Sequence, residues 1–279
     1  MTDQDTSWIR HLVGPLRVKP GARVNLARDY DPGARFGVRK KRDGVALLER
    51  GVDMLAEYQD RLAAQDTWGV LVVLQALDAA GKDGTIRHVM SGVNPQSVKV
   101  ASFKAPSAEE LRHDYLERLP PAHKGKSVWA RRYREINDWE HYLVDNGIRV
   151  VKLFLNLSRD EQRVRFLKRI DQPEKNWKFS ASDVRERRHW DEYQKAYSEM
   201  LSHTSTEWAP WHVLPADRKW FTRVCAAAVI AETLIDIDPQ YPGPDPDARQ
   251  KLLRAKTELE SEVAREAATA PTPASAARS

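Results

Sequence analysis

The sequence contains only one cysteine, Cys225, so it can form neither a disulfide within one chain nor a cysteine-based zinc site. This usage is typical of a reducing compartment, and we expect a cytoplasmic protein. Cys225 lies in an apolar run at residues 224–230, which indicates a plain core thiol. The eight histidines include no pair at i, i+4, so they form no metal motif of that kind.

The sequence also lacks a long apolar segment and a secretion signal. Its longest apolar run, residues 68–77, is far shorter than the roughly 20 residues of a membrane-spanning helix. The first six residues include two acids where a signal peptide carries basic residues. Positive charge is only slightly in excess, with 45 Lys and Arg against 40 Asp and Glu, which excludes a histone-like binder. We therefore expect no membrane partner and no nucleic acid partner.

The order of the predicted elements indicates an α/β fold. Apolar residues recur at helical spacing over residues 44–64, and the β-branched run at residues 68–75 is typical of a strand buried on both faces. Further strands are predicted at residues 97–103, 148–157 and 211–215, with helices between them. This alternation predicts a doubly wound parallel sheet flanked by helices.

A chain of 279 residues is expected to hold one main domain, here residues 41–237, with an extension at each end. Residues 1–40 are rich in Pro, Gly and Arg and predict an extended N-terminal arm. Residues 238–279 contain a Pro-rich linker, a charged helix and a tail whose composition is typical of disorder.

The segment Gln-Ala-Leu-Asp-Ala-Ala-Gly-Lys-Asp-Gly-Thr, residues 75–85, lies between the first predicted strand and a helix. Small residues let backbone N–H groups converge on an anion, and the helix N-terminus adds partial positive charge. Lys82 supplies a cation for a transferring phosphoryl group. The residues expected to bind phosphate beside it are Ala79, Ala80, Gly81, Asp83, Gly84 and Thr85.

This loop departs from the general P-loop pattern. Ala76 stands at the first glycine position, and Asp83 stands where Ser or Thr usually follows the lysine. Asp78 lies inside the loop, where a carboxylate repels phosphates unless it binds Mg²⁺ or a substrate proton. We therefore assign Asp78 and Lys82 as catalytic residues by hypothesis, with Asp78 as the Mg²⁺ ligand. The alternative is a tight turn with a surface lysine.

The sequence Asp-Ala-Ala-Gly-Lys-Asp-Gly at residues 78–84 closely resembles the variant Walker A loop of the polyphosphate kinase 2 family. The resemblance covers most of residues 28–235, with further matches at residues 88–96, 102–110, 131–138, 169–179, 205–211 and 215–220. It implies a thymidylate-kinase-like P-loop fold. It also implies Mg²⁺-dependent phosphoryl transfer between inorganic polyphosphate and a nucleoside mono- or diphosphate. We expect a homo-oligomer.

The resemblance also places a helical lid at about residues 163–190. Because polyphosphate is a flexible polyanion, its channel needs cations that tolerate a sliding register. The residues of this segment that we expect to contact polyphosphate are Arg165, Lys168, Arg169, Lys175 and Lys178. A solvated helix face is the alternative explanation of such a charge run. Trp177 either stacks on a base or packs the lid down, and packing is favoured.

The resemblance is interrupted between Leu119 and Val128. The family pattern has a strand there that leads into a Walker B segment, with an acidic or amide group and an arginine near the metal and phosphates. The eight residues at 120–127 include two prolines and a glycine, which leaves no room for a strand of about 5–6 residues and its turns. We expect this central strand to be missing and activity to be impaired. The alternatives are an inactive polyphosphate- or nucleotide-binding pseudoenzyme and an ordinary ATP-dependent small-molecule kinase.

Overall fold

The computed structural model describes residues 3–103 and 127–269. Its sheet has three parallel strands, β1 (Gly69–Ala76), β2 (Ile148–Asn156) and β3 (Trp211–Pro215), in the order β1-β2-β3. Gly69 pairs with Ile148, and Lys152 pairs with Trp211. The prediction of an α/β fold with a parallel sheet between helices is confirmed.

Helices account for most of the remaining described residues. Those before the first gap are α1 (Asp3–Val13), α2 (Leu26–Asp29), α3 (Lys41–Gln65) and α4 (Lys82–Val89). Those after it are α5 (Ser127–Asp145), α6 (Arg159–Asp171), α7 (Ala181–Glu186), α8 (Trp190–Thr204), α9 (Lys219–Ile237) and α10 (Pro246–Thr269). Short 3₁₀ turns lie at Gly14–Leu16, Pro95–Ser97, Pro173–Lys178 and Arg187–His189. Two compact units result, Met1–Gln240 with the sheet and Tyr241–Ser279 with α10.

The prediction of a strand at residues 97–103 is wrong. Ser97 ends a 3₁₀ turn, and the residues after it adopt no regular structure. Val100 and Phe103 are 61% and 96% exposed. A strand needs a neighbour that takes its backbone hydrogen bonds, and the described part of the chain provides none here. The β-branched residues of this segment indicate only a local preference for the strand conformation.

The first forty residues differ from the predicted extended arm. Asp3–Val13 is a helix, and Ile9, Leu12 and Leu16 are at most 1% exposed in the main core. These apolar residues follow a helical spacing that the Pro, Gly and Arg content of the segment concealed. The chain then runs along β3, where the N–H of Val18 donates to the carbonyl of Trp211 at 2.8 Å.

The helix α9 forms the centre of the main core, between α3 and the sheet. Gly51 of α3 allows α3 to lie close to α9, because a Cβ at residue 51 would lie 3.1 Å from the side chain of Ala227 on α9. Cys225 is fully buried on α9, and burial raises the pKa of its thiol far above the usual value. The prediction of a core thiol is confirmed. No helix of residues 3–103 or 127–269 has the length and apolar character needed to span a membrane.

Helix α5 is attached to the sheet by a buried ion pair. The ammonium of Lys152, on β2, donates to the carboxylate of Glu140 at 2.6 Å and also to the carbonyl of Thr204. Both charged side chains are at most 6% exposed. Removing one partner would leave an uncompensated buried charge, so the pair fixes the position of α5 on the central strand.

We predict that His212 makes the protein less stable as the pH falls from about 6.5 towards 4. Burial, and to a lesser degree the charge of Arg17, lowers the pKa of His212 to about 4, against about 6.5 in an unfolded chain. Between about pH 6.5 and pH 4, His212 is therefore protonated in the unfolded state and neutral in the folded state. The lost stability should reach about 2 kcal/mol between about pH 7.5 and pH 5.

Urea unfolding of the wild type and of His212→Gln at both pH values checks this prediction. The glutamine cannot titrate, so the free energy of unfolding of the variant should fall less on acidification. Glu140 and Lys152 titrate in both proteins and cancel in the comparison. Parallel pH dependences would show that His212 does not titrate as proposed.

Candidate phosphate-binding site

The loop between β1 and α4 contains two residues with left-handed backbone conformations. Ala79 has φ 64°, and Gly81, at the N-cap of α4, has φ 106° and ψ 29°. The N–H of Ala80 donates to the carbonyl of Leu77 at 3.3 Å and closes a tight turn. Residues 77–81 thereby redirect the chain from the strand end into the helix within one turn.

The backbone N–H groups in the first turn of α4 face the tight turn formed by residues 77–81. The first N–H groups of a helix have no partner within it, which here applies to Lys82, Asp83 and Gly84. The helix N-terminus also carries partial positive charge, so this is a place where an anion binds favourably. Thr85 has a different role, because it is 4% exposed and its hydroxyl donates to the carbonyl of Gly81 at 3.1 Å.

Lys82 lies over the loop at the carboxyl end of β1. Its ammonium donates to the carbonyl of Ala76 at 3.1 Å. The side chain is partly exposed, so the ammonium can move from this carbonyl to a phosphate oxygen. This position agrees with the predicted role of Lys82 without testing it.

On the other side of the loop, side chains of α6 bind the backbone carbonyl groups of the loop. The amide of Gln162 donates to the carbonyl of Asp78 at 3.1 Å. One guanidinium nitrogen of Arg165, Nη1, donates to the carbonyls of Ala79 and Ala80, each at 2.9 Å. Three consecutive carbonyls of the loop are therefore bonded to side chains of one helix.

The same guanidinium also binds the segment after β3, which corrects the assignment of Arg165 as a polyphosphate contact. Its Nη2 donates to the carbonyls of Ala216 and Asp217 at 2.6 and 3.2 Å, and its Nε donates to Glu161 at 2.8 Å. All five N–H donors of the side chain are thus used within the protein. Arg165 is also only 6% exposed, so it has no free donor for a substrate.

Asp78 forms an ion pair with the segment predicted to be the lid. Its carboxylate accepts from Arg169 at 2.7 Å, and Arg169 also donates to the carbonyl of Lys178 at 3.2 Å. A second carboxylate, that of Asp183, lies 3.8 Å from the same guanidinium nitrogen. Arg169 therefore connects the phosphate loop to both elements that follow α6.

The side chains of Pro173–Lys178 are largely exposed. Trp177 is 78% exposed and contacts Lys178, whose ammonium lies 4.8 Å from the ring centroid. The favoured interpretation, that Trp177 packs the lid down, is therefore wrong for this conformation. Lys175 donates to the side-chain carbonyl of Gln172. The roles predicted for Lys168, Lys175 and Lys178 stay predictions.

Sequence analysis missed two cations at the start of α9. Burial, followed by the charges of Arg165 and Lys168, lowers the pKa of Lys219, and burial lowers the pKa of Arg223. A Cβ at Gly84 would lie 3.7 Å from a guanidinium nitrogen of Arg223, which places this arginine beside α4. The sequence signal that could have revealed them is a pair of cations at i, i+4 directly after a buried strand. Parallel strands end at the same edge of a sheet, so these cations are expected near the loop that follows β1.

The loop offers one carboxylate to a divalent metal. The described residues contain no group of three or more His, Cys, Asp or Glu side chains that could hold a metal ion. Mg²⁺ is usually held by one or two carboxylates together with phosphate oxygens and water, so it does not need such a group. The side chain of Asp78 is 55% exposed and fits this donor set once Arg169 is displaced.

The described chain is thus an α/β protein in which a three-stranded parallel sheet lies between helices and a tight loop joins its first strand to a helix. The family model of polyphosphate kinase 2 matches residues 39–126 and 121–242. The chain belongs to the polyphosphate kinase 2 family.

Named relatives and a solved structure agree with this membership. The chain is 45% identical to the ADP-polyphosphate phosphotransferase of Rhodopseudomonas palustris over 281 aligned positions, which cover 88% of this chain and 97% of the relative. It is 41% identical to the AMP/ADP-polyphosphate phosphotransferase of Meiothermus ruber, with 85% and 98% covered. The crystal structure of polyphosphate kinase 2 from Arthrobacter aurescens matches with a TM-score of 0.76 and 36% identity, over 86% of this chain and 95% of that one.

We predict that Gly81→Ala destabilises the protein by more than about 1 kcal/mol, because an L side chain at this left-handed position is strained. Gly14→Ala is the matched control, since Gly14 has no positive φ and a Cβ there meets nothing within 4 Å. Chemical denaturation of both variants measures the effect. Equal free energies of unfolding would contradict the left-handed conformation of Gly81.

Proposed function

We propose that this protein is a phosphotransferase that moves a phosphoryl group between inorganic polyphosphate and a nucleoside mono- or diphosphate. The observation that carries the proposal is that Lys82 and Arg223 lie beside a loop with a helix N-terminus, while Lys219 lies near Arg165, which bonds that loop. Such a site suits a chain of phosphates better than a single weakly charged group. The names of the Rhodopseudomonas and Meiothermus relatives support the same reaction.

Phosphoryl transfer needs positioning and charge neutralisation more than a nucleophile from the protein. In the proposed reaction the N–H groups at the start of α4 hold non-bridging oxygens, and Lys82 moves from the Ala76 carbonyl to the transferring group. Asp78 would hold Mg²⁺, which would neutralise charge on the phosphate oxygens. Lys168, Lys175 and Lys178 extend the positive surface along the polyphosphate chain.

One oxygen of the Asp78 carboxylate, Oδ2, is paired with Arg169, so this ion pair must open before that oxygen can take another partner. The freed guanidinium then becomes available to polyphosphate. Release of Arg169 from Asp78 would loosen one contact between the loop and the lid, which we place at about residues 163–190. It also gives Arg169 the role predicted from the sequence, although the structure pairs it with a carboxylate.

We further propose that the chain lacks the Walker B strand of its family. The interval between Leu119 and Val128 lies almost wholly outside the described residues, so support comes from elsewhere. Within the described chain β1 pairs only with β2, and seven of its eight residues are partly exposed. The Rhodopseudomonas alignment has 281 positions but covers only 88% of the 279 residues, so that relative has residues at positions where this chain has none.

We predict that Lys82→Ala lowers the rate of nucleotide phosphorylation from polyphosphate by about 100-fold or more, because the transferring phosphoryl group loses its cation. Product formation is measured with AMP and with ADP as acceptors, in the presence of Mg²⁺. Lys251→Ala, an exposed lysine on α10, is the control and should leave the rate unchanged. Equal rates for the wild type and Lys82→Ala would overturn the role of Lys82.

The same assay separates the alternatives. Salt-sensitive binding of polyphosphate without any product indicates the pseudoenzyme, which is favoured by the pairing of β1 with β2 alone among the described residues. Product formed from ATP but not from polyphosphate indicates an ordinary ATP-dependent kinase.

We predict that restoring the missing segment raises turnover. The residues of the Rhodopseudomonas relative that have no counterpart here are inserted between Leu119 and Val128. They should supply a second partner for β1 and an additional polar group at the phosphate site, so both the rate and the free energy of unfolding should increase. A Gly-Ser insertion of equal length is the control. Equal or lower activity of the restored chain would contradict the deletion.

A further inference from the structure

We infer that Gln162 and Arg165 are positioning residues that preset the phosphate loop for anion binding without touching the anion. The inference deepens the proposed function, because it rests on phosphate binding at this loop. It does not require turnover. Its basis is the row of bonds from α6 to the carbonyls of Asp78, Ala79 and Ala80.

The geometry of the peptide bond links these carbonyls to the anion site. A peptide is planar and trans, so the C=O of one residue and the N–H of the next point in opposite directions. Bonds that draw three carbonyls towards α6 therefore turn the N–H groups of the following residues away from it. One of these, from Ala80, is engaged with Leu77 at 3.3 Å. The N–H groups of Ala79 and Gly81 remain available, beside those of the first turn of α4.

The loop needs such support because its conformation is intrinsically unfavourable. Ala79 adopts φ 64° without being glycine, which is a strained backbone conformation for a residue with a Cβ. Without external bonds the chain would relax and the N–H groups would lose their common direction. Both flanking carbonyls of Ala79, its own and that of Asp78, are bonded to α6.

Arg165 also fixes the loop relative to the cations of α9. The guanidinium bonds the carbonyls of Ala216 and Asp217, two residues before Lys219. The carboxylate of Asp217 accepts from the N–H of Ser158, which caps α6 at the end of β2. One buried side chain thus connects the carboxyl ends of all three strands, so the distance between the loop and Lys219 is set by Arg165.

Binding of tripolyphosphate, measured by titration calorimetry, tests the inference. Gln162→Met keeps the size of the side chain but removes one bond to the loop, and we expect affinity to fall about fivefold to tenfold. Arg165→Lys keeps the positive charge but cannot reach four carbonyls, and we expect a loss of about 100-fold. Gln250→Met is the control for Gln162→Met, because it makes the same change at an exposed position on α10.

Two further measurements distinguish positioning from general stability. Thermal unfolding of Gln162→Met should stay close to that of the wild type, while amide hydrogen exchange in residues 77–84 becomes faster. Guanidinium ion, well below denaturing concentrations, should restore tripolyphosphate affinity in Arg165→Ala, because it can occupy the vacated bonds. A merely structural role predicts neither effect.

Unchanged affinity in both Gln162→Met and Arg165→Lys would overturn the inference, and so would an equal loss in Gln250→Met and Gln162→Met. A wild type that binds tripolyphosphate without phosphorylating AMP or ADP would contradict the proposed function alone. The inference would then still be decided by the affinities. A wild type that binds no tripolyphosphate would contradict both.

Discussion

The buried guanidinium of Arg165 is the constraint on which the site depends. An arginine at 6% exposure is tolerated only when its charge and its donors are compensated, and here Glu161 and four backbone carbonyls do so. These carbonyls belong to the ends of β1 and β3, which must be held together for the loop and α9 to face the same anion. The carbonyls that compensate the buried charge are therefore also the groups whose direction defines the phosphate site.

The remaining charges around the loop are arranged in two layers. Arg165 and Glu161 form the inner layer, whose bonds are completed within the protein. Lys82, Lys219 and Arg223 form the outer layer, where burial, followed by the nearby charges of Arg165 and Lys168, lowers the pKa of Lys219. An anion bound beside Lys219 would favour its charged form. Asp78 carries the opposite charge in the outer layer, and its pairing with Arg169 neutralises it.

The sequence predicted the sheet and the loop because both depend on local patterns. A β-branched run followed by small residues and a lysine needs no distant partner to be recognised. The wrong predictions concern features that depend on contacts between residues far apart in the sequence. Residues 97–103 resemble a strand but have no neighbouring strand in the described chain, and α1 was concealed by composition. Arg165 was assigned to the surface because a run of cations does not reveal which of them points inward.

The two sides of the phosphate loop differ in completeness, and this difference separates binding from catalysis. Towards β2 and β3 the loop is supported by a full set of bonds from α6, and the cations of α9 lie beside it. On its other edge β1 has no strand partner within the described chain. Binding requires the first side alone, since it supplies the N–H groups and the positive charge. Transfer also requires groups that order the acceptor, and in our proposal those groups would belong to the second side.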